Sequence, residues 1–265
     1  MGVVMNDRTV FLMYHEIEAA GRALCDSEPG YVRYVVSEVA LRHQLAHLQA
    51  GGYSGISVGQ ALAATLQHEP VVAITFDDGC ETDALIAAPL LAQFGFKATF
   101  YVIAGHVGLR GYLSPAQLRE LSAAGFEIGC HSMTHSYLDD LDDAQLRIEL
   151  AEAKDRLEQI IHSRIAHFSC PGGRWSRSLA RSAAEVGYES IATSRVGVNT
   201  PTTSRFNLAR VTVMRDMDSA AFARIIRGEG LAARRARAGL LNAAKAILGN
   251  SAYERVRARV LPQSQ

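Results

Sequence analysis

Two short segments of the sequence combine residue types that could bind a metal ion and activate water. TFDDG contains Asp77 and Asp78, and HSMTH contains His131 and His135. Histidines four apart project to the same side of a helical turn, and a carboxylate would complete a two-histidine, one-carboxylate site with open positions for water and substrate. Two adjacent buried carboxylates repel each other unless a cation or a proton intervenes. The spacing therefore favours one metal ligand and one general base.

The segments around these motifs indicate how the residues would be held. Four times the chain passes from an Ala- and Leu-rich segment through glycine and an aromatic residue into a β-prone run, as in LAQFGFKATFYVI. Glycine suits the left-handed residue that ends a helix, so the pattern is typical of repeated βα units. The predicted strands cover 10–14, 72–76, 98–103, 126–130, 165–170, 189–193 and 210–214, and the predicted helices lie near 37–50, 81–94, 114–124, 140–163, 175–186 and 218–228.

Most of the predicted strands are continuous apolar runs, as expected for parallel strands covered by helices. Their order favours a single α/β domain, a barrel of about seven βα units, with an open doubly wound sheet as the alternative. No GxGxxG or GxxxxGK loop follows a strand, which weighs against the nucleotide-binding form of an open sheet. Catalytic groups of a parallel barrel lie at the carboxyl ends of its strands, so His15, Asp77, Asp78, His131 and the PGG turn at 171–173 are expected on one face.

Together, TFDDG and HSxxH resemble the first two motifs of the polysaccharide deacetylase family, the nodulation-type chitooligosaccharide deacetylases and their relatives. The resemblance covers about residues 8–215. It implies a distorted (β/α)7 barrel and a hydrolase that removes the acetyl group from an N-acetylated sugar in a glycan, an oligosaccharide or a lipid-linked sugar. Two alternatives are a hydrolase of a non-sugar amide or cyclic imide, and a glycan-binding pseudoenzyme that keeps the metal without turnover.

The resemblance also implies a role for each residue of the two motifs. Asp77 would be the general base, while Asp78, His131 and His135 would bind one divalent metal. The metal is usually Zn²⁺ in this family, with Co²⁺, Mn²⁺ and Ni²⁺ as alternatives. A backbone N–H of the PGG turn, at Gly172, is the matching candidate for stabilising the oxyanion of the tetrahedral intermediate.

The turn at the end of the fifth predicted strand departs from the family pattern. Many members carry an arginine before the proline that pairs with the base aspartate, but FSCPGG has Ser169 and Cys170 in this stretch. Arg174 follows the turn and could substitute. Arg174 and Trp175 are also candidates for binding the substrate, with Trp175 stacking on a sugar ring.

A second departure concerns the proton donor for the leaving amine. Many members use a histidine in a late Leu-x-His motif, whereas the corresponding segment here, LARVTVMRDMD, contains no histidine. We predict that His15 takes this role, because it ends the first strand on the same face and imidazole can donate near neutral pH. Glu16, His106 and a proton returned by Asp77 are the competing donors.

Composition limits the partners and the compartment. The chain has 27 basic and 27 acidic residues, so its net charge gives no reason to expect a nucleic-acid partner. The N-terminal segment lacks the basic stretch and long apolar run of a signal peptide or spanning helix. The four cysteines include no CxxC pair, and those at 80, 130 and 170 are interpreted as small buried hydrophobic residues. These features favour reduced thiols and a cytoplasmic protein.

The C-terminal segment differs from the rest in charge. Residues 231–265 contain seven basic residues and one acidic residue, a net charge of +6, and follow the predicted catalytic domain at 1–230. Leucines, isoleucine and alanine can gather on one side of a helix here, so we predict an amphipathic helical tail. It would dock onto the barrel or make a peripheral contact with an anionic membrane surface, which would suit a lipid-linked substrate at the inner face.

Overall fold

The computed structural model describes residues 8–63, 70–138 and 141–236, which fold around one parallel β-sheet. A separate parallel pair is formed by β2 (Ile17–Glu18) and β3 (Val36–Ser37). The main sheet consists of β1 (Val10–Tyr14), β4 (Ser54–Ile56), β5 (Val71–Phe76), β6 (Thr99–Val102), β7 (Glu127–Cys130), β8 (His167–Ser169), β9 (Ser190–Ala192) and β10 (Val211–Thr212). All the predicted strands are confirmed. The additional strands β2, β3 and β4 are too short to show a periodic pattern in the sequence.

The main sheet curls into a barrel. Its strand order is β10-β1-β5-β6-β7-β8-β9, with every neighbouring pair parallel. Leu208, shortly before β10, pairs with Ala192 of β9 and accepts the amide of Thr193 at 3.0 Å, so the ends of the row meet. The barrel is distorted at β5. One edge of β5 pairs with β4 along its first half and with β6 along its second half. The predicted (β/α)7 barrel is therefore confirmed.

Helices flank the sheet and, apart from two short ones at 29–32 and 58–63 that were not predicted, lie at the predicted places. They are α1 (Pro29–Val32), α2 (Glu38–Ala50), α3 (Val58–Ala63), α4 (Ala88–Gln93), α5 (Pro115–Ala123), α6 (Asp143–Arg147), α7 (Ala153–Ile161), α8 (Arg177–Val186) and α9 (Ser219–Ile226). Ser114 caps α5 by accepting the amide of Gln117 at 3.3 Å. Two π-helical turns, Asp83–Ala87 and Ile148–Glu152, lead into α4 and α7. Such turns often occur at functional sites, and these two carry Asp83 and Glu149.

Alternation along β5 decides which side chains reach the barrel interior. Ile74 packs in the main core beneath the helices, whereas Ala73 belongs to an inner cluster with Tyr101. Successive side chains of a strand point to opposite faces. Thr75 and Asp77 therefore share the inner face with Ala73, and both are buried. The strand pattern thus directs the first aspartate of the DDG motif into the barrel.

The predicted tail is described only in its first turns. Residues 231–236 are helical, Leu231 is buried, and Arg235 donates from Nε to the carbonyl of Val196 at 2.9 Å. The beginning of the tail therefore packs against the barrel, while residues 237–265 lie outside the described part of the chain. Within the described ranges, no helix combines the length and apolar character needed to cross a membrane.

Candidate metal-dependent active site

Asp77 and Asp78 directly follow β5, where the chain leaves the sheet. The amide of Asp77 donates to the carbonyl of Tyr14 at 2.9 Å and so continues the ladder with β1. Asp78 has a left-handed backbone with φ of 82°, and Gly79 follows with φ of 72°. Glycine is required there, because a Cβ on Gly79 would lie 2.9 Å from the Val102 side chain. This turn gives two carboxylates that are adjacent in sequence different surroundings.

The HSMTH segment is a loop, so the helical turn expected from its spacing was wrong. His131 continues from β7, but Ser132 and His135 both have left-handed backbone, with φ of 66° and 64°. Ser132 Oγ accepts the amide of His135 at 2.9 Å, and the Glu149 carboxylate accepts two more loop amides at 2.8 and 3.0 Å. These side-chain acceptors take the place of helical backbone bonds and hold the loop in its non-helical form.

The loop still brings both imidazoles to Asp78. Asp78 Oδ1 lies 3.5 Å from Nε2 of His131 and 3.6 Å from Nε2 of His135, and one donor atom from each of the three residues falls within 4.8 Å of the others. Nδ1–H of His131 donates to the carbonyl of Ser169 at 2.9 Å, which leaves Nε2 as the unprotonated nitrogen facing Asp78. These donors fit a divalent metal.

Asp77 is paired with an arginine that the sequence analysis missed. Arg210 donates from Nη1 to Oδ1 and from Nη2 to Oδ2, each at 2.7 Å. Its remaining N–H groups contact Thr193 O at 3.0 Å, Thr75 Oγ1 at 3.1 Å and Ser169 Oγ at 2.7 Å. Arg210 lies in the late segment LARVTV, where the family pattern places a histidine. The available signal was an arginine at the start of an apolar strand.

The expectation that Arg174 could replace the family arginine is therefore wrong. Both oxygens of Asp77 are held by Arg210, and the Arg174 guanidinium lies 3.8 Å from the ring centroid of Tyr137 instead. The reason is geometric. Arg174 follows the turn after β8, whereas Arg210 extends into the barrel interior, where Asp77 points.

The surroundings push the ionisation of the site residues in different directions. Burial favours a higher pKa for Asp77, but the charges of Arg210 and His131 outweigh it and hold that pKa well below its usual range. Burial raises the pKa of Asp78 to about 6, partly opposed by His15 and reinforced by Asp77. Burial also lowers the pKa of His131 to about 3. At neutral pH, Asp77 is thus a carboxylate and His131 a neutral imidazole able to bind a metal.

His15 lies close enough to the two carboxylates to act on both. Its charge lowers the pKa of Asp78 and of Asp77, and its Nδ1 is buried without a hydrogen-bond partner in the described ranges. His106 lies near His135, whose charge adds to burial in lowering the pKa of His106. Glu16 already accepts hydrogen bonds elsewhere, from the Cys25 amide and the Tyr31 hydroxyl. His15, His106 and Glu16 are thus all electrostatically linked to the site, and Glu16 differs in that its carboxylate already accepts hydrogen bonds from other groups.

The PGG turn follows β8 at the same end of the barrel. Gly172 and Gly173 have φ of 60° and 69°, and a Cβ on Gly172 would lie 2.6 Å from the Tyr137 ring. Trp175 donates from its indole nitrogen to the carbonyl of Phe206 at 2.6 Å, which fixes the ring while 37% of the residue stays exposed. Contact of Gly172, Arg174 or Trp175 with a substrate stays a prediction.

Comparisons with known proteins agree with this geometry. The family model "Polysaccharide deacetylase" matches residues 65–191. The protein YxkH of Bacillus subtilis (strain 168) is 28% identical over 215 residues, 80% of this chain and 73% of that protein. The peptidoglycan-N-acetylglucosamine deacetylase of Bacillus cereus is 33% identical over 125 residues, 47% of this chain and 56% of that protein. Among solved structures, the Streptococcus pyogenes deacetylase PplD superposes with a TM-score of 0.74 at 22% identity, over 83% of this chain and 98% of that one.

A parallel barrel that gathers two aspartates and two histidines at the carboxyl ends of its strands is typical of metal-dependent hydrolases. The structural likeness to PplD supports the fold, and the sequence matches supply the family. Over residues 65–191, nearly half of its length, the chain matches the polysaccharide deacetylase family, whose named members remove N-acetyl groups from sugars.

The Arg210–Asp77 pair predicts a large loss of stability when only one charge is removed. Arg210→Gln should lower the free energy of unfolding by about 3–5 kcal/mol, because it leaves a buried carboxylate without its partner. Arg42→Gln is the matched control and should cost about 1 kcal/mol or less, since its ion pair with Glu38 is exposed. Urea denaturation of both variants measures the difference. Equal stability of the two variants would contradict a structural role for the pair.

The raised pKa of Asp78 predicts that metal affinity depends on pH. Below its pKa of about 6 the metal-free carboxyl carries a proton, which an incoming cation must displace. Zn²⁺ affinity should therefore fall by about tenfold for each further pH unit. His131 adds no slope above pH 4, because its pKa is about 3. Chelator competition from pH 7.5 to 5 measures this as the difference between the unmodified chain and Asp78→Asn, which lacks the ligand. Identical profiles of the two chains would reject the assignment of Asp78.

Proposed function

We propose that the chain is a metal-dependent hydrolase that removes the acetyl group from an N-acetylated sugar and releases acetate. One observation carries the proposal. Asp78, His131 and His135 form a set of metal-ligating atoms, while Asp77 lies beside them with Oδ2 3.9 Å from Nε2 of His131. A base beside an open metal site is the arrangement that amide hydrolysis by water requires.

The proposed ligands are Asp78, His131 and His135, and the proposed ion is Zn²⁺, because mixed imidazole and carboxylate ligands with open positions are common at catalytic zinc sites. Co²⁺, Mn²⁺ and Ni²⁺ are the alternatives. When bound, such an ion lowers the pKa of water and polarises the acetamide carbonyl. The Ser169 carbonyl keeps Nε2 of His131 available by holding the proton on Nδ1.

Asp77 is proposed as the base that accepts a proton from the attacking water. Its pairing with Arg210 keeps it ionised and fixes the carboxylate plane, so it is oriented before substrate arrives. The backbone N–H of Gly172 is proposed to stabilise the oxyanion of the tetrahedral intermediate. Arg174 and Trp175, on the segment after the same turn, are proposed to contact the sugar.

The reaction is tested by measuring acetate release from N-acetylglucosamine oligosaccharides, peptidoglycan fragments and a lipid-linked N-acetylated sugar, using the zinc-loaded chain. Asp77→Asn should keep the ion bound by Asp78, His131 and His135 and lose most turnover, whereas His131→Ala and His135→Ala should lose that ion and turnover together. His43→Ala, an exposed histidine on α2, is the matched control and should retain both.

The outcomes distinguish the three hypotheses about the function of the site. Acetate release that depends on Asp77 supports a sugar deacetylase. Metal binding without release from any of the sugars, combined with hydrolysis of simple amides or cyclic imides, would move the substrate outside carbohydrates. Metal and glycan binding with no hydrolysis at all would identify a pseudoenzyme.

We further propose His15 as the donor of a proton to the leaving amine. The proposal rests on its position after β1 and on its electrostatic effect on Asp77 and Asp78. His15→Gln should lower turnover by about 10²–10⁴-fold with metal content and melting temperature preserved. His106→Gln is the matched control. A loss of only a few-fold in His15→Gln, or a larger loss in the control, would reject the assignment.

For the tail we propose a peripheral contact with anionic lipid through residues 231–265, in a cytoplasmic protein. The support is the excess of basic residues in this segment and its predicted amphipathic character. Flotation with vesicles containing phosphatidylserine should retain the full chain more strongly than a chain ending at Gly230, and the difference should shrink in high salt. Equal flotation of both chains would remove the idea.

A further inference from the structure

A second group of metal-ligating side chains lies just beyond the catalytic aspartates. It consists of Glu16 after β1, Cys25 in the following loop and Cys80, two residues after Asp78. One potential ligand atom from each of these three residues lies within 4.8 Å of the others. Glu16 and Cys80 are buried and Cys25 is half-buried. We call this group the thiol-carboxylate cluster.

The sulfur positions in the cluster suit a tetrahedral ion. The Sγ atoms of Cys25 and Cys80 lie 3.5 Å apart, and both thiols are free. In a zinc site with Zn–S distances of about 2.3 Å, tetrahedral geometry separates neighbouring sulfurs by about 3.8 Å. The Tyr31 hydroxyl donates to Glu16 Oε2 at 2.9 Å and lies 3.4 Å from the Cys80 sulfur. The cluster is thus nearly preformed, with a hydroxyl that orients its carboxylate.

An unpartnered buried acid accompanies the cluster. Asp83 is fully buried, and neither of its carboxylate oxygens has a hydrogen-bond partner among the described residues. Burial raises its pKa, and the nearby charges of Asp78, Cys25 and Glu16 raise it further. Such a carboxyl is costly to bury unless a proton or a cation compensates. Buried Arg210 compensates the charge of Asp77. At the cluster, by contrast, the cation that lowers the pKa of Glu16 is Arg22, which lies in an exposed position.

We propose that Glu16, Cys25 and Cys80 bind a second, structural zinc ion. Two thiolates and a carboxylate are ligands that Zn²⁺ accepts, and sulfur discriminates against hard cations such as Mg²⁺ and Ca²⁺. Binding requires both thiols to lose their protons to solvent. The cysteine at 80, interpreted from sequence as a plain buried residue, thereby gains a specific role.

The second ion would tie two segments together at the mouth of the barrel. Glu16 and Cys25 belong to the segment between β1 and α1, and Cys80 follows the DDG turn. Cys25 Sγ also lies 3.1 Å from the carbonyl of Gly111, whose loop accepts the amide of Glu81. Fixing these loops would hold the turn that carries Asp78. The second ion would take no direct part in the hydrolysis, so its presence can be tested independently of the proposed function.

The two proposed ions differ in sulfur ligation, which allows each to be observed separately. The metal-free chain is titrated with Co²⁺ in the presence of a phosphine reductant and followed by absorption. Thiolate ligation gives an intense ligand-to-metal charge-transfer band in the near ultraviolet, which a site of carboxylate and imidazole cannot produce. The band should appear in the unmodified chain and in His131→Ala, and should be absent in Cys25→Ser. Cys130→Ser, a buried cysteine outside the cluster, is the matched control and should keep the band.

Metal content provides the second measurement. After zinc loading and desalting, the unmodified chain should hold two ions, and Cys25→Ser and His131→Ala should hold one each. Cys25→Ala checks that serine oxygen does not substitute as a ligand, and the half-buried position of this residue favours normal folding of both variants. Absence of the band in the unmodified chain, its persistence in Cys25→Ala, or a Cys25–Cys80 disulfide in the loaded protein would overturn the proposal. None of these results would affect the assay for deacetylation.

Discussion

The buried pair between Arg210 and Asp77 is the interaction on which the architecture of the site depends. Moving two charges from water into a protein interior costs several kcal/mol for each ion, so such a pair persists only with good geometry and complete hydrogen bonding. Arg210 meets both conditions, with a bidentate bond to the carboxylate and further bonds to Thr193, Thr75 and Ser169. These five hydrogen bonds reach four residues at the ends of several strands. The pair therefore joins β5, β8 and β9 to the segment that enters β10.

This pair also explains how two adjacent aspartates can serve different purposes. Asp77 follows the alternation of β5 into the barrel, where the arginine neutralises it. Asp78 leaves the strand through a left-handed backbone, a conformation that costs a non-glycine residue about 1–3 kcal/mol unless its surroundings enforce it. The resulting carboxylate lies among imidazoles and has a raised pKa of about 6. One acid is thus permanently ionised, and the other readily exchanges its proton for a metal.

Much of the fold could be predicted from sequence, because each long strand is an apolar run and α2, α4, α5, α8 and α9 are each followed within two residues by a glycine. The short strands β2, β3 and β4 could not, since pairing of two or three residues depends on tertiary neighbours rather than on a local pattern. Within the site, the candidate metal ligands Asp78, His131 and His135 followed from the motifs and lie together in the structure, but the helical form of HSMTH did not hold. Glu149 is distant in sequence and binds the loop amides, so no local signal opposed the helical spacing.

The arginine that pairs with Asp77 could not be predicted from sequence for a related reason. Sequence reasoning looked for an arginine beside the proline turn and for a histidine in the late strand, because those are the family positions. A guanidinium has a long reach, so the barrel can deliver the same charge to the same carboxylate from a different strand. Arg210 does this from the segment before β10, across the interior from β5. Closed barrels make such exchange possible, because the ends of all the strands face one another around a single axis.

The remaining constraint is the charge balance of the segment that runs from Asp77 to Cys80. Glu16 adds to burial in raising the pKa of Asp78, and Asp78 and Glu16 add to burial in raising the pKa of Asp83, as expected for acids buried close together. Arg210 pairs directly with Asp77 and opposes the raised pKa of Asp78 only as a lesser influence. Asp78 lies instead beside His131 and His135, the two other candidate ligands of a shared cation, and Gly79 is the single residue between Asp78 and the thiol of Cys80. Three successive non-glycine residues of the DDGC segment therefore meet three different chemical surroundings, and the left-handed turn at Asp78 and Gly79 is what keeps these surroundings apart.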